Sequence, residues 1–139
     1  MIELRQATQE DLDYVKANPI EKAAKDYVDL PLSGYARTAV VDGDVIGVGG
    51  VVVYWKGFGE AWVILSEKAN DHKVEMVLCI EKFIEEAIAE LDLQRLQCTA
   101  RTDFPKGIEL IEHLGFKREG LMRCYNPDGS DAYMYARII

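Results

Sequence analysis

Between residues 74 and 91 the side chains of Val74, Val77, Leu78, Phe83, Ile84, Ala87, Ile88 and Leu91 nearly all fall on one helical stripe, with Glu75, Glu81, Glu85 and Glu90 between them. A helix with one such stripe draws most of its stability from whatever covers that face. The chain offers a sheet for the purpose. Residues 2–7 and 37–41 alternate as strands, and Asp42-Gly43-Asp44 is a tight hairpin turn leading into a longer strand over residues 45–55. Lys56-Gly57-Phe58-Gly59 reads as a loop before a strand over residues 60–66, and residues 93–100 form the strand after the long helix. Two final strands flank Asn126-Pro127-Asp128-Gly129, whose residues are each the favoured type for their place in a type I turn.

Shorter helices complete the pattern. Thr8 is placed to cap a helix running to about Ala17, with Asp11 in its first turn. Asn18-Pro19-Ile20-Glu21 then predicts a second start, with Asn18 as N-cap, Pro19 at the first helical position and Glu21 at the third. Ile20, Ala23, Ala24, Tyr27 and Val28 give it one apolar face, and Pro31 ends it. The long helix starts near Asn70-Asp71. Asp103 can cap another, with Pro105 in its first turn and Ile108, Ile111 and Leu114 on its buried face. Gly115 stands where a left-handed residue is needed, and Phe116 can fold back onto Ile111 in a Schellman motif. The order β-α-α-β-β-β-α-β-α-β-β, without a repeat or linker, predicts a single α/β (α+β) domain over residues 1–139: a mixed, mostly antiparallel sheet flanked by helices.

Charge and cysteine content narrow the function. A net charge of −8 argues against a nucleic-acid partner, which wants a basic surface. It suits an amine-bearing partner and is equally ordinary for a soluble protein. Three cysteines, too far apart for a zinc motif, fit a reducing compartment, so a cytoplasmic location is expected. The start, Met1-Ile2-Glu3-Leu4-Arg5, does not read as a signal peptide. The longest nearly apolar run, residues 45–55, is about half the ~20 residues a membrane helix needs, so no membrane partner is expected. His72 and His113 lack neighbours at ligand spacing, so no metal is expected. Gly47-Val48-Gly49-Gly50 begins like a dinucleotide fingerprint, but Val52 stands where the third glycine belongs and a strand follows; a bulge or close packing explains the glycines better. Cys79, beside the helix stripe, reads as packing. Tyr54, Trp55, Phe58 and Trp62 could line an acceptor pocket, fill the sheet core or make a homodimer contact.

The element order resembles that of the GNAT acyltransferases, and three stretches agree with it. Val45-Ile46-Gly47-Val48-Gly49-Gly50 is similar to that family's third strand. Residues 60–66 and the long helix resemble its fourth strand and cofactor helix. Leu110-Ile111-Glu112-His113-Leu114-Gly115-Phe116 resembles its helix-plus-LGF signature. The C-terminal half further resembles short GNAT-like proteins of bacteriophages and prophages, through Phe104-Pro105, Glu119-Gly120-Leu121-Met122-Arg123, Tyr125-Asn126-Pro127-Asp128-Gly129, Asp131, Tyr133 and Tyr135-Ala136-Arg137.

The resemblance implies acetyl-CoA as co-substrate, with its pantetheine arm between splayed fourth and fifth strands and an amine, small or borne by a protein, as acceptor. It places Val63, Ile64, Leu65 and Ser66 beside the arm, Asn70, His72 and Lys73 near the pyrophosphate at the amino end of the long helix, and Phe104 and Ile111 also among the cofactor-binding residues. Ser66 can alternatively cap the following helix. The family pattern Q/R-x-x-G-x-G/A is replaced by Lys68-Ala69-Asn70-Asp71-His72-Lys73-Val74-Glu75, which has no glycine to bring backbone close to phosphate. Ile111 stands where most members carry the tyrosine that protonates the leaving thiolate, which leaves Tyr125 or water for that task. Glu60 and Glu67, at the two ends of the fourth strand, are the candidate general bases, acting directly or through water, although the plainer reading of each is a solvated strand-end carboxylate. A non-catalytic phage or prophage accessory or structural protein, acting by protein contact, is the alternative.

Overall fold

The computed structural model describes residues 1–21, 31, 32 and 34–139. Seven described strands, β1 Ile2–Gln6, β2 Tyr35–Val41, β3 Asp44–Trp55, β4 Phe58–Leu65, β5 Arg95–Arg101, β6 Lys117–Met122 and β7 Ala132–Ile138, form one sheet in the order β1-β2-β3-β4-β5-β7-β6. All neighbours are antiparallel except β4 and β5, which run parallel because a helical crossover joins them. Three α-helices, α1 Gln9–Ala17, α2 Lys73–Glu90 and α3 Pro105–His113, and a 3-10 turn, Glu67–Asp71, complete the described elements. This is the α+β architecture expected.

The two faces have separate cores. On one, Cys79, Ile80, Phe83, Ile84 and Ala87 bury the stripe of α2, where Phe83 and Ile84 pack with Tyr35, Val51, Leu96 and Cys98. On the other, Leu12 and Val15 of α1 pack with Ala36, Val48 and Ile64. The glycines of β3 belong to these contacts. A Cβ on Gly50 would come within 2.6 Å of the Trp62 indole, and one on Gly49 within 3.2 Å of the Phe83 ring. Close packing is therefore their role.

Local signals hold where side chain and backbone act together. Thr8 and Asp11 form a reciprocal capping box, and Asp11 also accepts from both terminal nitrogens of Arg5, at 2.7 and 2.9 Å, and from the Thr38 hydroxyl at 2.8 Å. At the end of α3, the Gly115 N–H donates to Glu112 and the Phe116 N–H to Ile111; this is the expected Schellman closure, with Gly115 at φ 92°. The Gly129 N–H donates to the Asn126 carbonyl at 2.8 Å, closing the expected turn.

Several boundaries differ. Asn18 is the C-cap of α1 and starts no helix there, because its N–H closes on Tyr14 and Pro19 pairs with Ser66 as a β-bridge. Residues 23–28 of the expected second helix lie outside the described residues. The hairpin after β3 turns on Lys56 and Gly57 alone, and Phe58 and Gly59 already belong to β4. A 3-10 turn, Glu67–Asp71, delays α2 to Lys73. Asp103 caps nothing: Phe104 holds the N-cap position, and the Asp103 carboxylate is held by the Arg101 guanidinium at 3.0 Å.

Candidate functional site

Parallel pairing of β4 with β5 stops after three residues, Phe58↔Arg95, Gly59↔Leu96 and Glu60↔Gln97. Beyond Glu60 the strands diverge into a fork. Strand alternation decides which groups line it. The Gly57 carbonyl accepts from β5 through Gln94 and Arg95, and the Ser66 N–H donates to Ile46 of β3. The backbone groups of Ala61, Val63 and Leu65 therefore point into the fork, and those of Ile64 and Ser66 point to β3. A parallel pair that parts in mid-strand exposes backbone donors and acceptors to an extended ligand, which can bind as an added strand.

On the α1 side, Glu60 stands at the apex, its carboxylate accepting from the Gln97 amide at 2.7 Å. Tyr54, stacked on Phe58 with centroids 5.4 Å apart, and Tyr125 are both about half exposed. Burial first, then the charge of Glu60, pushes each phenol up. A carboxylate flanked by aromatic rings suits an ammonium group. At the end of β5, the largely buried Arg101 holds Asp103 and Asp128, which anchors the turn that carries Tyr125. Trp62 turns away from β5 to lie on Gly50.

The α2 side is apolar. Phe104, Ile108 and Ile111 of the α3 region are only partly buried, and no residue of α3 is fully buried. Val63 and, on α2, Val74 and Leu78 are exposed. Val74 and Leu78 continue the helical line of Glu81 and Glu85, which pair with His113 and Arg137, so they face the α3 and β7 side. Phe104 and Ile111 thus leave part of their apolar surface open, while Ile108 and Ile111 also pack against the core on the α2 side.

The remaining sequence candidates spread out. Ile64 is buried under α1, and Ser66 is fully buried with its hydroxyl donating to Val45 at 2.6 Å, so it holds the N-cap position of the 3-10 turn without a side-chain cap bond. His72 pairs with Asp44 at 2.9 Å. Asn70 and Lys73 are exposed. Glu67 is exposed and seven residues from Glu60, roughly 23 Å along an extended strand. The two carboxylates therefore do not meet, and Glu60 is the one at the fork. Gln97 and Arg101 were missed. Their signal was the alternation of Arg95, Gln97, Thr99 and Arg101 with buried Leu96, Cys98 and Ala100, which marks one polar face of β5.

Cys98 is pushed up to about 12 by burial and by Glu60, which makes it inert as a nucleophile. No three His, Cys, Asp or Glu among the described residues are placed to hold a metal, and no described helix is long and apolar enough to cross a membrane. An open groove of about 390 Å³, lined by Trp55, Lys56, Gly57, Phe58, Gln94 and Arg95, lies at the β3–β4 turn, away from the fork's wide end.

Solved structures of the same topology cover the whole chain. Ard1 from Thermoplasma volcanium is 18% identical with a TM-score of 0.77, over 99% of this chain and 97% of its own. A GNAT-family acetyltransferase from Streptococcus pneumoniae is 19% identical with a TM-score of 0.76, over 100% and 99%. The chain has the GNAT fold. A ribosomal-protein-alanine N-acetyltransferase from Brucella melitensis matches similarly, at 17% identity and a TM-score of 0.75, over 99% of each chain. No family model and no curated protein matches the sequence. Of the acetyl-CoA that a GNAT fold typically takes, an extended pantetheine arm would meet the Val63 backbone, which has no strand partner on the β5 side among the described residues, and the partly buried apolar side chains of the α3 region. The pyrophosphate fits less well. The first turn of α2 has no glycine, carries Glu75, and is preceded by Asp71 and by a His72 already engaged with Asp44.

Proposed function

We propose that the protein is an acetyl-CoA-dependent N-acetyltransferase that acts on an amine by direct attack. The observation that carries the reading is the fork itself: β4 and β5 part at the residue that supplies a carboxylate, with the partly buried apolar side chains of the α3 region below and two tyrosines above. The arm lies in the fork, and the amine enters from the α1 side. As its nitrogen bonds to the acyl carbon, Glu60 takes the proton that the amine sheds. The carbon–sulfur bond breaks, and the departing thiolate takes a proton from Tyr125 or from water. Tyr125, half exposed on the turn after β6, is protonated at neutral pH as tyrosines are, so it has a proton to give. The neighbours bear the names of different acetyltransferases, so the fold alone leaves the acceptor amine open.

Thermal melts with acetyl-CoA, desulfo-CoA and ATP test the first half. A ligand at about 100 times its Kd adds about 2.7 kcal/mol, a rise of roughly 5–10 °C for a domain of this size. Free-thiol release over an amine panel tests the second. A rise with acetyl-CoA but not ATP, followed by amine-dependent thiol release, supports the proposal; no rise at millimolar ligand ends it.

A second reading has its own observation. The glycine-free, acid-flanked start of α2, together with Ile111 in α3, favours a catalytically degenerate GNAT-fold protein, such as a phage or prophage accessory component working by protein contact. Turnover with any amine removes it.

A further inference from the structure

The wide end of the fork is crossed by chain. After α1, residues 18–20 run beside the end of β4: the Glu67 N–H donates to the Asn18 carbonyl at 2.8 Å, the Ile20 N–H donates to the Leu65 carbonyl at 3.0 Å, and Pro19 bridges Ser66. One residue further, the Glu21 carboxylate lies 3.4 Å from the Arg101 guanidinium at the end of β5. Four residues thus span both arms, and they occupy the Leu65 carbonyl and the Glu67 N–H. These are the fork-facing groups that an extended ligand would meet after Val63.

The two attachments differ in kind. On β4 the hold is backbone ladder, renewed at two hydrogen bonds. On β5 it is one ion pair, and an imperfect one. Oε1 of Glu21 and Nη1 of Arg101 are both buried, and neither has a hydrogen-bond partner among the described residues. Arg101 meanwhile holds Asp103 at 3.0 Å and Asp128 at 2.8 Å, so its charge stays paired when Glu21 leaves. Those two carboxylates also repel Glu21, and burial, above all, pushes its carboxyl up. Such a contact can open without unfolding either arm.

We propose that residues 18–21 form a strap, hinged at the end of α1 and latched to β5 by Glu21 on Arg101, which must open, releasing its two backbone bonds to β4, to admit an extended acyl-carrying arm to the fork. The inference rests on the acyl-transfer reading. It assigns Glu21 a gating role and takes Arg101 as the catch. Ile20 and Pro19 are the moving part.

Amide hydrogen exchange and stopped-flow binding on the full chain test it, with acetyl-CoA as the probe. Glu21→Gln keeps the side chain's size and removes its charge. In that variant the Ile20 amide should exchange roughly tenfold faster, acetyl-CoA should associate severalfold faster, and the melting midpoint should stay near that of the wild type. Glu21→Ala should act in the same direction. In the wild type, acetyl-CoA should speed exchange at Ile20 and Glu67. Unchanged exchange at Ile20 in both variants overturns the latch, and equal association rates, or greater protection of Ile20 with ligand bound, overturn the gate. Those results leave the acyl-transfer reading standing. Absence of acetyl-CoA binding in wild type and variants alike brings down that reading, and the gate with it.

Discussion

Helices α2 and α3 lie on the same face of the sheet, and α3 has the more sharply divided surface, yet α2 buries five residues and α3 none. The difference lies in what stands beneath them. Under α2 the strands β2, β3 and β4 are paired without a gap, so Phe83 and Ile84 meet a continuous floor. Under α3 lies β5, beyond the point where its pairing with β4 stops, and Ile108 and Ile111 are only partly buried against the cluster that contains Leu96 and Cys98. Amphipathicity states which face a helix turns inward. Whether that face is covered depends on its neighbours.

Substitutions can break this contrast. Phe83→Ala should cost about 3–5 kcal/mol by urea denaturation, as a filled core site emptied of a ring. The apex should behave in the opposite way. Glu60→Gln should lower kcat/KM by roughly 100-fold or more while the melting midpoint hardly moves; an equal loss of stability would make Glu60 a structural carboxylate instead. Asp11 is the structural one. Burial would raise its pKa, but hydrogen bonds from Arg5, Thr38 and Thr8 outweigh it and lower the group from 3.8 to about 2. Its stabilisation is therefore complete above pH 4 and lost as pH falls toward 2. An acid titration should show about 2 kcal/mol disappearing in that window, and Asp11→Asn should abolish that component. The smallest effect on the free protein should come from Ile111→Ala, about 1 kcal/mol, because the side chain is only partly buried. The same change should weaken acetyl-CoA binding severalfold by calorimetry. A cost as large as that of Phe83→Ala would mean that the α3 face is core after all.

The fold was legible because its signals are local and periodic. The stripe of α2 and the alternation of β5 register directly in residue order, and the caps at Thr8 and Gly115 need only the next three or four residues. Errors arose where a residue had a stronger distant partner. Asn18-Pro19 looks like a helix start, but the end of β4 offers Asn18 and Ile20 two backbone bonds that a helix start would not. Asp103 has the right chemistry for a cap and is taken by Arg101 two residues earlier. Ser66 and His72 sit at the expected places in the chain with their polar atoms already bonded to Val45 and Asp44.

What the sequence determined by itself is the set of elements, their order and the residue types at the ends of β4, since hydrophobic period and turn chemistry act over a few residues. The tertiary structure decided which of those residues share a site. It separated Glu60 from Glu67 by the length of a strand, brought Gln97 to Glu60 from β5, and laid residues 18–21 across the fork. Those relations depend on where β4 and β5 part. That point is fixed by the packing of two helices and a crossover against one twisted sheet, and no short stretch of chain encodes it.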